Sequence, residues 1–494
     1  MELRPHQRKA VQMLRDSLSR GKKRPILAAP CSFGKTITAA YMLQQAAEKG
    51  KRGIFICDRI KLVEQSLEEF EDHGMDFGVI QGNHWRSDAG AAVQIASIQT
   101  LARRSRMPDF DFAIVDECHS VHKYLLEMMN AYNAVPFIGL SATPFSKGLG
   151  EVYDDLVVPI SPEELLNQGY LTPIHYYGGR KVNLDDMNRR ALPTGGTDYD
   201  PKSLEHRIEK DVLLAGDIVK NWLAHGEDSQ TIAFSPSIKH SKYMVDLFRN
   251  HGIKAEHIDG YTDPEIREVM FRAHDAGEFK ILSCSKLLNV GYDAPSVRCL
   301  IDCYPTTSLI SYVQRAGRIA RTAEGKEYSI YLDHSGNVSR HGMAEFICPS
   351  ELDMGERGFS EAKQVKKKKE AKVWECPDCY QQRTGVKCPC GYEIPMSERI
   401  QHDSQMLKRM TASERANATF TPDDKSQWLG ELYLHAEKKG YKQGWADRLY
   451  QKKFGKWPNG IYPAPVTEIS ENVRKYIQYD TIRKVHGHWG RKAS

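Results

Sequence analysis

Eight residues that follow a short apolar run constrain this chain most, because they predict a strand, a tight loop and a helix in that order. The run is 25–28, and the loop ends in Gly34-Lys35-Thr36, where a helix can begin. Backbone N–H groups at such a helix start cradle phosphates, a lysine reaches the β- and γ-phosphates, and a hydroxyl can bind Mg²⁺. The predicted nucleotide contacts are Ala29, Pro30, Cys31, Ser32, Phe33, Gly34, Lys35 and Thr36, with Thr36 also a metal ligand.

The loop departs from the usual phosphate-binding pattern at two positions. Ala29 stands at the first glycine position, and Ser32 stands where a glycine often permits close approach of the backbone. Both side chains are small enough to keep the turn, so we interpret them as tolerated variation. The alternative is a Gly-Lys-Thr helix start that binds no ligand.

A second apolar run, 112–115, leads directly into the acidic pair Asp116 and Glu117. A short, continuous apolar run is typical of a buried parallel strand. Asp116 would hold Mg²⁺ through water, and Glu117 would position the attacking water as a base. The loop and the acidic pair together predict a site that hydrolyses a nucleoside triphosphate.

Apolar runs alternate with helical stretches through much of the chain, which predicts doubly wound parallel sheets. The runs are 25–28, 53–56, 93–96, 112–115, 137–140, 231–234, 280–283, 297–301 and 328–331. Ligand sites of such sheets lie at the carboxyl ends of the strands, where the loop and the acidic pair fall. The predicted fold class is α/β, with two tandem lobes of this kind, a small zinc ribbon and a mainly helical, basic C-terminal domain.

The length of 494 residues allows about three domains with sizeable cores. A polar stretch with several prolines and glycines predicts a connector after the first lobe, and a charged, weakly patterned stretch predicts a linker after the second. The expected boundaries are lobe 1 at 1–160, a connector at 161–210, lobe 2 at 211–350, a linker at 351–373, a zinc ribbon at 374–395 and a C-terminal domain at 396–494.

Composition argues against a membrane or secreted protein. No segment approaches the roughly 18 consecutive apolar residues of a membrane span, and Met1-Glu2-Leu3-Arg4 begins no signal peptide. Of the 11 cysteines, four cluster between 376 and 390, which indicates one metal site and not a disulfide framework. We therefore expect a cytoplasmic protein, of a bacterial cell or a phage-infected host, with no membrane partner.

The formal charge of +5 is unevenly distributed, with +7 on residues 401–494 and −2 on residues 1–400. Four lysines also follow one another at 366–369. A basic appendage on an NTP-hydrolysing body is typical of a nucleic-acid motor, because lysine and arginine neutralise phosphates and release counterions. The alternative for the lysine run is a solvated linker.

The second series of strands is followed by an arginine-rich segment, Gln314 to Arg321. Arg318 and Arg321 are three residues apart and so share one helical face. Guanidinium groups directed across a cleft at a γ-phosphate stabilise the transition state by about 10³–10⁵ in rate. Gln314, Arg318 and Arg321 are therefore candidate catalytic residues, and the alternative is a basic surface helix.

In the order of these segments the chain resembles the superfamily 2 helicases, and it is similar in particular to RadD-like and phage-encoded members of the DEAD/DEAH type. The matching segments extend over roughly residues 1–335. They are 3–7, 29–36, 58–65, 97–100, 116–119, 141–143, 289–295 and 314–321. The resemblance implies two RecA-like lobes that close on ATP and Mg²⁺.

The resemblance also implies roles for individual residues. Gln7 would read adenine, and Gly291 and Asp293 would contact the nucleotide ribose or the strand backbone. Gln99 and Thr100 could donate hydrogen bonds to nucleic-acid phosphates, as uncharged polar side chains commonly do. Without the other segments, Gly291 to Pro295 would be read as a simple turn.

Four cysteines form a C-x2-C-x8-C-x-C cluster that suits a tetrahedral Zn²⁺ site. The second pair is one residue shorter than usual, and a redox dithiol is the alternative. We expect a structural zinc, because four thiolates leave no open position for catalysis. The predicted ligands are Cys376, Cys379, Cys388 and Cys390.

The tail interleaves aromatic residues with lysines at 439–445 and 452–458. Aromatic faces can stack on exposed bases while lysines follow the backbone of a single strand. The alternative is a small helical domain whose aromatic residues form its core.

The sequence as a whole predicts an ATP-dependent DNA helicase or translocase in DNA repair, recombination or phage replication. DNA is preferred, single-stranded or forked, and the chain is expected to be a monomer that could work with a single-strand-binding protein. The alternatives are an RNA helicase, the motor subunit of a restriction or defence complex, and a non-catalytic DNA clamp switched by ATP.

Overall fold

A computed structural model describes residues 1–58, 60–104, 107–178, 184, 187–192, 197–210, 218–285, 292, 295–355, 373–375, 382–384, 407–409, 420–470, 472–474, 476–477 and 480. The chain divides into two compact units. The first comprises residues 1–337 and 344–407, and the second comprises residues 338–343 and 408–494. The first unit contains two parallel sheets, which define the two lobes.

The first lobe is a sheet of seven parallel strands with helices on both faces. Its strands are β1 (Pro25–Ala28), β2 (Gly53–Cys57), β3 (Gly78–Ile80), β4 (Val93–Ser97), β5 (Phe112–Val115), β6 (Phe137–Ser141) and β7 (Asp155–Val157). They stand in the order β3-β4-β2-β5-β6-β1-β7. Its helices are α1 (Pro5–Ser19), α2 (Lys35–Ala47), α3 (Ile60–Asp72), α4 (Ile98–Leu101), α5 (Lys123–Ala131) and α6 (Leu149–Val152).

The second lobe repeats this arrangement. Its strands are β8 (Ile174–Gly178), β11 (Thr231–Ser235), β12 (Ala255–Asp259), β13 (Ile281–Ser285), β14 (Cys299–Asp302) and β15 (Ser329–Asp333), and the short strands β9 (Arg189–Ala191) and β10 (Thr197–Tyr199) form a separate hairpin. Within the first unit the parallel order is β12-β13-β11-β14-β15-β8. The helices of this part of the chain are α7 (Pro162–Asn167), α8 (Pro201–Lys210), α9 (Ile218–His225), α10 (Ile238–Asn250), α11 (Pro264–Asp275), α12 (Leu309–Ile319) and α13 (Asn337–His341).

Continuous apolar strands form because both faces of each sheet are buried. On one face of the first sheet, Leu14 and Leu43 of α1 and α2 pack with Phe70 of α3. On the other face, Leu125 and Met129 of α5 pack against the same sheet. Burial on both faces fixes the strands and leaves their carboxyl ends to carry the loops.

The predicted α/β architecture with two parallel-sheet lobes is confirmed, and each of the nine predicted apolar runs overlaps a strand. Four strands of the two sheets lie outside those runs: β3, β7, β8 and β12. The segment expected to be a connector, 161–210, contributes β8 to the second sheet, where it pairs with β15. The hairpin of β9 and β10, from the same segment, is bonded to the second lobe. Its Asp198 accepts hydrogen bonds from Thr306 Oγ1 and from the Thr307 amide, both at 2.7 Å.

The described part of the second unit contains β18 (Lys408–Arg409), α14 (Pro422–Lys439) and α15 (Gln443–Phe454). Trp428 and Phe454 belong to its buried core, and Lys453 Nζ lies 4.7 Å from the centre of the Trp428 ring. This packing favours the helical-core interpretation of the tail for these residues. Trp457 and Tyr462 are exposed, at 51% and 87% of their surface.

The predicted zinc ligands Cys376, Cys379, Cys388 and Cys390 lie outside the described residues. The strands β16 (Val373–Glu375) and β17 (Gln382–Thr384) form an antiparallel pair on either side of the first two. Within the described ranges, no cluster of potential metal ligands occurs. Across the same ranges, no helix is long and apolar enough to span a membrane.

Candidate active site between the two lobes

Three neighbouring strands of the first lobe bring the phosphate loop and the acidic pair together. β6 lies between β1 and β5, with Leu27 paired to Leu140 and Val115 paired to Gly139. Because the strands are parallel, their carboxyl ends meet at one edge of the sheet. The loop leaves β1, the acidic pair leaves β5, and Ser141 ends β6 between them.

The loop owes its shape to two residues in the left-handed region of backbone space. Gly34, which precedes α2, has a φ of 82°, and Ser32 has a φ of 61°. The Phe33 amide closes the turn by donating to the Pro30 carbonyl at 3.1 Å, and the Phe33 ring is fully buried. The backbone at Ser32 therefore adopts a conformation that favours glycine, which explains why a glycine often stands there.

Gln7 is buried against the back of the loop. Its Nε2 donates to the Phe33 carbonyl at 2.9 Å and to the Gly34 carbonyl at 3.4 Å, while its Oε1 accepts from the Arg4 amide at 2.8 Å. A Cβ built on Gly34 would lie 2.3 Å from Gln7 Nε2. Gln7 thus braces the phosphate loop, and only glycine fits at position 34.

Lys35 and the acidic pair form a partly buried charge cluster. Lys35 Nζ donates to Glu117 Oε1 and lies 3.7 Å from Asp116 Oδ1. Burial alone would raise the pKa of Glu117, but Lys35 and then His119 hold it well below its ordinary value. Burial, reinforced by Glu117, raises the pKa of Asp116 although Lys35 opposes this shift. Glu117 is therefore a firmly ionised carboxylate.

Glu117 has a φ of 46°, which is unusual for a residue with a long side chain. Such a conformation costs about 1–3 kcal/mol and persists only where the surroundings enforce it. Here the Cys118 amide donates to the Leu140 carbonyl at 3.0 Å and the Ser120 amide donates to the Glu117 carbonyl at 2.9 Å. The enforced turn keeps the Glu117 carboxylate at Lys35.

The donor set near Thr36 and Asp116 fits a hard divalent cation. Asp116 Oδ1 is buried and, within the described residues, accepts no hydrogen bond. Burial raises the pKa of the Glu69 carboxyl in α3, and the nearby Thr36 opposes this shift. Oxygen ligands of this kind suit Mg²⁺, which keeps several waters and takes one or two protein carboxylates.

A polar chain links the acidic pair to the second lobe. His119 Nδ1 lies 3.2 Å from Glu117 Oε2 and 3.0 Å from Ser141 Oγ, which in turn accepts from the Thr143 amide at 3.0 Å. From α12, Gln314 Nε2 lies 3.5 Å from both His119 Nε2 and Thr143 Oγ1. The two distances from Gln314 Nε2 therefore depend on how far apart the two lobes are.

Arg318 lies in the last turn of α12, whereas Arg321 follows the end of the helix at Ile319, so the expectation that both share one helical face is wrong. Burial lowers the pKa of Arg318, while Cys31 and Glu117 of the first lobe raise it. Burial also lowers the pKa of Arg321, and Cys31 again opposes the shift. Arg318 Nη1 donates to the Tyr292 carbonyl at 2.8 Å. Both guanidinium groups are thus largely shielded from water beside the nucleotide loop.

Arg315, three residues before Arg318, has a different place. It is buried within the second lobe, where its Nη1 donates to Asp302 Oδ1 at 2.5 Å and to the Tyr304 carbonyl at 2.7 Å. Asp302 Oδ2 also accepts from Tyr331 and, at 2.8 Å, from Asn337 Nδ2. This network fixes α12 to β14 and β15.

The two lobes approach most closely where Gly317 meets Cys31. A Cβ built on Gly317 would lie 2.3 Å from Cys31 Sγ and 3.3 Å from Cys31 Cβ. Contacts below 3.0 Å are not tolerated, so this approach requires glycine. Gly317 thereby lets the arginine face of α12 reach the loop.

Two predicted ligands, Gly291 and Asp293, lie outside the described residues. The structure brings the other candidates for the nucleotide site to one edge of the first lobe and the facing side of α12. Of the predicted strand contacts, the Gln99 amide donates to the Asp58 carbonyl, and Thr100 Oγ1 accepts from Ser97 Oγ at 2.8 Å. Gln99 and Thr100 lie in the short helix α4, directly after β4.

Sequence reasoning missed three residues of the site. Glu69 lies near Thr36, Arg315 anchors α12, and Tyr292 holds Arg318 through its carbonyl. Tyr292 is itself fixed, because its ring stacks on Phe271 at 4.3 Å. Glu69 stands among other polar residues of α3, and a backbone carbonyl leaves no signal in a sequence, so neither could be singled out.

Two family models match the chain. The model for "Type III restriction enzyme, res subunit" matches residues 1–146, and the model for "Helicase conserved C-terminal domain" matches residues 215–323. These ranges carry the phosphate loop with the acidic pair and the arginine helix, respectively.

Three curated relatives are similar over most of the two lobes. A 51.5 kDa protein of a Lactococcus phage is 26% identical, covering 82% of this chain and 87% of that protein. A Schizosaccharomyces pombe protein named as a mitochondrial ATP-dependent helicase, irc3, is 24% identical over 69% of this chain. The ATP-dependent DNA helicase uvsW of phage T4 is 21% identical over 63% of this chain.

The chain spans less than two thirds of the length of the two named helicases, with 58% of irc3 and 65% of uvsW covered. The two family models, the phage and helicase relatives and the paired lobes agree with one another. Together they support the superfamily 2 helicase family for this chain, to which its ordered motifs are similar.

Proposed function

We propose that this protein is an ATP- and Mg²⁺-dependent motor that translocates on DNA. The observation that carries this proposal is the convergence of Lys35, Asp116 and Glu117 from one lobe with Arg318 and Arg321 from the other. All the parts of a phosphoryl-transfer site are thus available, but the arginines are supplied by a separate lobe. Hydrolysis would then depend on how the lobes are closed.

Lys35 acts as a switch for the base in this mechanism. Without nucleotide its ammonium group is paired with Glu117. When the β- and γ-phosphates enter the loop, they compete for the same ammonium group, and Glu117 loses its main partner. The freed carboxylate can accept a proton from the attacking water.

The chemical step follows from these positions. Water attacks the γ-phosphorus, its proton passes to Glu117, and the bond to the oxygen that bridges the β- and γ-phosphorus breaks to leave ADP and phosphate. Thr36 and Asp116 would hold Mg²⁺, which neutralises charge on the phosphates. Arg318 and Arg321 would stabilise the charge that develops on the transferred group.

Coupling to nucleic acid is assigned to the polar chain from Glu117 to Gln314. His119 contacts Glu117 and Ser141, and Gln314 reaches His119 and Thr143 across the cleft at 3.5 Å. Contacts of this length strengthen only if the lobes approach further. A strand bound to both lobes would favour that approach and thereby stimulate hydrolysis.

DNA is the proposed track. Its support is the similarity to uvsW, which is named as a DNA helicase, and the basic charge of residues 401–494. RNA is the alternative substrate of the same chemistry. We further propose that the chain acts as a monomer in the cytoplasm, where single strands coated by a single-strand-binding protein are its natural template.

Steady-state hydrolysis of ATP tests this function directly. Turnover is measured without nucleic acid and with single-stranded DNA, forked DNA, duplex DNA and RNA, for the natural chain and Lys35→Ala. We expect strong stimulation by one form of DNA and none in the variant. Equal turnover under all conditions would contradict a motor function, and stimulation by RNA alone would replace DNA with RNA.

A second candidate function is the motor subunit of a restriction or defence complex. The match of residues 1–146 to the res subunit model favours it. In that case the chain would translocate on DNA without separating strands, so displacement of a triplex-forming oligonucleotide would be fast while unwinding of a fork would be absent. The ionised Glu117 argues against a non-catalytic clamp. If Glu117→Gln hydrolysed ATP at the rate of the natural chain, the clamp would again be a candidate function.

We also propose that Cys376, Cys379, Cys388 and Cys390 hold a structural Zn²⁺. The antiparallel pair β16 and β17 supports this, because in the sequence its strands stand directly before Cys376 and shortly after Cys379. Metal analysis of the purified chain should give one zinc per molecule, lost when the four residues are changed to serine. A zinc-free preparation that unfolds with the same midpoint would contradict the proposal.

A further inference from the structure

The loop that follows the edge strand β3 exposes a large aromatic side chain. Trp85 is 79% exposed, although indole rings are normally well buried. Its neighbours are polar: the His84 ring lies 5.8 Å away in a stacked arrangement, and the Arg86 guanidinium lies 5.0 Å from the indole centre. A single exposed aromatic side chain is common, but this indole stands beside a guanidinium group and a second ring, as a base-stacking surface would.

The loop is rigidly held in spite of this exposure. The Val79 amide donates to the Arg86 carbonyl at 2.9 Å, and the His84 amide donates to the Gln81 carbonyl at 3.0 Å. The Arg86 guanidinium contacts two aromatic rings. It lies 4.7 Å from the centre of the buried Phe77 ring and 5.0 Å from the centre of the Trp85 ring. Trp85 is therefore presented by a fixed platform.

The platform adjoins the helix that follows β4. β3 and β4 are paired, with Ile80 opposite Ala96, so their carboxyl ends lie side by side. The Gly82 amide donates to Thr100 Oγ1 at 3.3 Å and joins the two loops directly. Thr100 is one of the residues that the sequence indicated as a contact to a nucleic-acid strand. Trp85 thus lies at the same edge of the sheet as that predicted contact.

The charges around this edge suit a polyanion. Arg103 and Arg104 are exposed immediately after α4, and the one acidic partner of Arg86 in the described residues is Glu71, at 3.1 Å. Glu71 is thereby neutralised. Cations of this kind attract a phosphate backbone while the indole offers its face to a base.

The second lobe provides a comparison. Its edge strand β12 is also followed by an exposed aromatic residue, Tyr261, at 91% exposure. The turn is held by Asp259, whose Oδ1 accepts from the Tyr261 amide at 2.8 Å. However, Asp263 and Glu265 follow at the start of α11. Tyr261 thus has similar exposure beside two carboxylates, with Arg267 Nη2 also at this turn, where it donates to the Thr262 carbonyl at 2.8 Å.

We propose that Trp85 is a stacking site for one base of a single nucleic-acid strand, with the neighbouring cations holding the flanking phosphates. The site rests on the proposed function and adds to it a contact that recognises bases without reading their sequence. Every base has a π face, so the contact suits a motor that must move along any sequence.

Equilibrium binding to two labelled strands, measured without nucleotide, tests the site. One strand is oligothymidylate, and the other is an abasic strand with the same number of phosphates. Trp85→Ala should bind oligothymidylate about 5- to 150-fold more weakly, the range found for loss of one base stack. Trp85→Phe should retain most of the affinity, and Tyr261→Ala serves as the control of matched exposure.

The abasic strand separates stacking from charge. Trp85→Ala and the natural chain should bind it equally, because it has no base to stack. Equal weakening on both strands, an unchanged affinity for oligothymidylate, or an equal loss in Tyr261→Ala would overturn the proposal. Self-association of the natural chain that is lost in Trp85→Ala would also overturn it, since the indole would then be a contact between copies.

This binding measurement is independent of the proposed motor activity. A chain that binds oligothymidylate through Trp85 but hydrolyses ATP at the same rate with and without DNA would contradict the motor and keep the stacking site. If DNA stimulates ATP hydrolysis but Trp85→Ala binds oligothymidylate as tightly as the natural chain, the motor is supported and the stacking site is contradicted.

Discussion

Gly317→Ala should separate catalysis from stability in this protein. The new methyl group would lie 2.3 Å from Cys31 Sγ and 3.3 Å from Cys31 Cβ. Rotation of the Cys31 side chain relieves the first contact but not the second, so α12 must withdraw by roughly 0.2–0.7 Å to reach an ordinary carbon–carbon separation near 3.5–4.0 Å. A misplacement of about 1 Å can cost about 100-fold in rate, so a shift of about half that size should cost about 10-fold.

The same substitution should leave the fold intact or stabilise it. Residue 317 lies in the interior of α12, where alanine is favoured over glycine by up to about 1 kcal/mol. We therefore expect the turnover number for DNA-stimulated hydrolysis to fall about 10-fold, while the midpoint of thermal unfolding does not fall. ATP affinity should change little, because the loop and Lys35 belong to the other lobe.

Two further variants make the test decisive. Cys31→Gly in the Gly317→Ala background removes both Sγ and Cβ and should restore part of the lost turnover, which a double-mutant cycle quantifies. Gly444→Ala is the control, since a Cβ there would meet nothing within 4 Å. Natural turnover in Gly317→Ala, or the absence of any coupling with Cys31→Gly, would refute the idea that this contact limits lobe closure.

Four other substitutions have defined outcomes. Lys35 holds the pKa of Glu117 below its value in the unfolded chain. The ionised Glu117 therefore stabilises the folded state fully above pH ~4.3, and this stabilisation is lost as the pH falls towards the lower pKa of the folded state. Lys35→Ala should lower the free energy of unfolding by roughly 2 kcal/mol at pH 7.5, and urea titrations should show this deficit shrinking below pH 4. Arg315→Met should lower the unfolding free energy by about 3–5 kcal/mol, because it leaves Asp302 buried without its cation, whereas Arg318→Ala should leave the urea midpoint unchanged and reduce turnover about 10³-fold. Gln314→Ala should retain basal hydrolysis within a few-fold but lose most of the stimulation by DNA, which a titration of turnover against DNA would reveal.

The strands and the phosphate site could be predicted because their signals are local. The run 112–115 is apolar since both faces of β5 are buried, and the acidic pair directly follows it. Gly34-Lys35-Thr36 starts α2 for reasons contained within one turn of chain. Short strands such as β3 escaped prediction because three residues are too few to show a pattern.

The contacts between distant segments could not be predicted from the sequence. Arg315 and Arg318 stand in one arginine-rich segment, yet Asp302 retains the first in the second lobe while the other lies beside Cys31. Nothing in the spacing of the arginines distinguishes a buried anchor from a catalytic group. The role of Gln7 in bracing the loop likewise depends on packing between α1 and residue 34.

The anchoring of α12 by Asp302 has a mechanical consequence. Because Arg315 ties the helix to β14 and β15, any force on Arg318 is passed to the whole sheet and not absorbed by a hinge in the helix. The far edge strand β12 stands three places from β14, about 14 Å at roughly 4.8 Å per strand. A rigid lobe of this kind works as a lever: a small rotation about the γ-phosphate yields its longest stroke at the edge where Tyr261 is exposed.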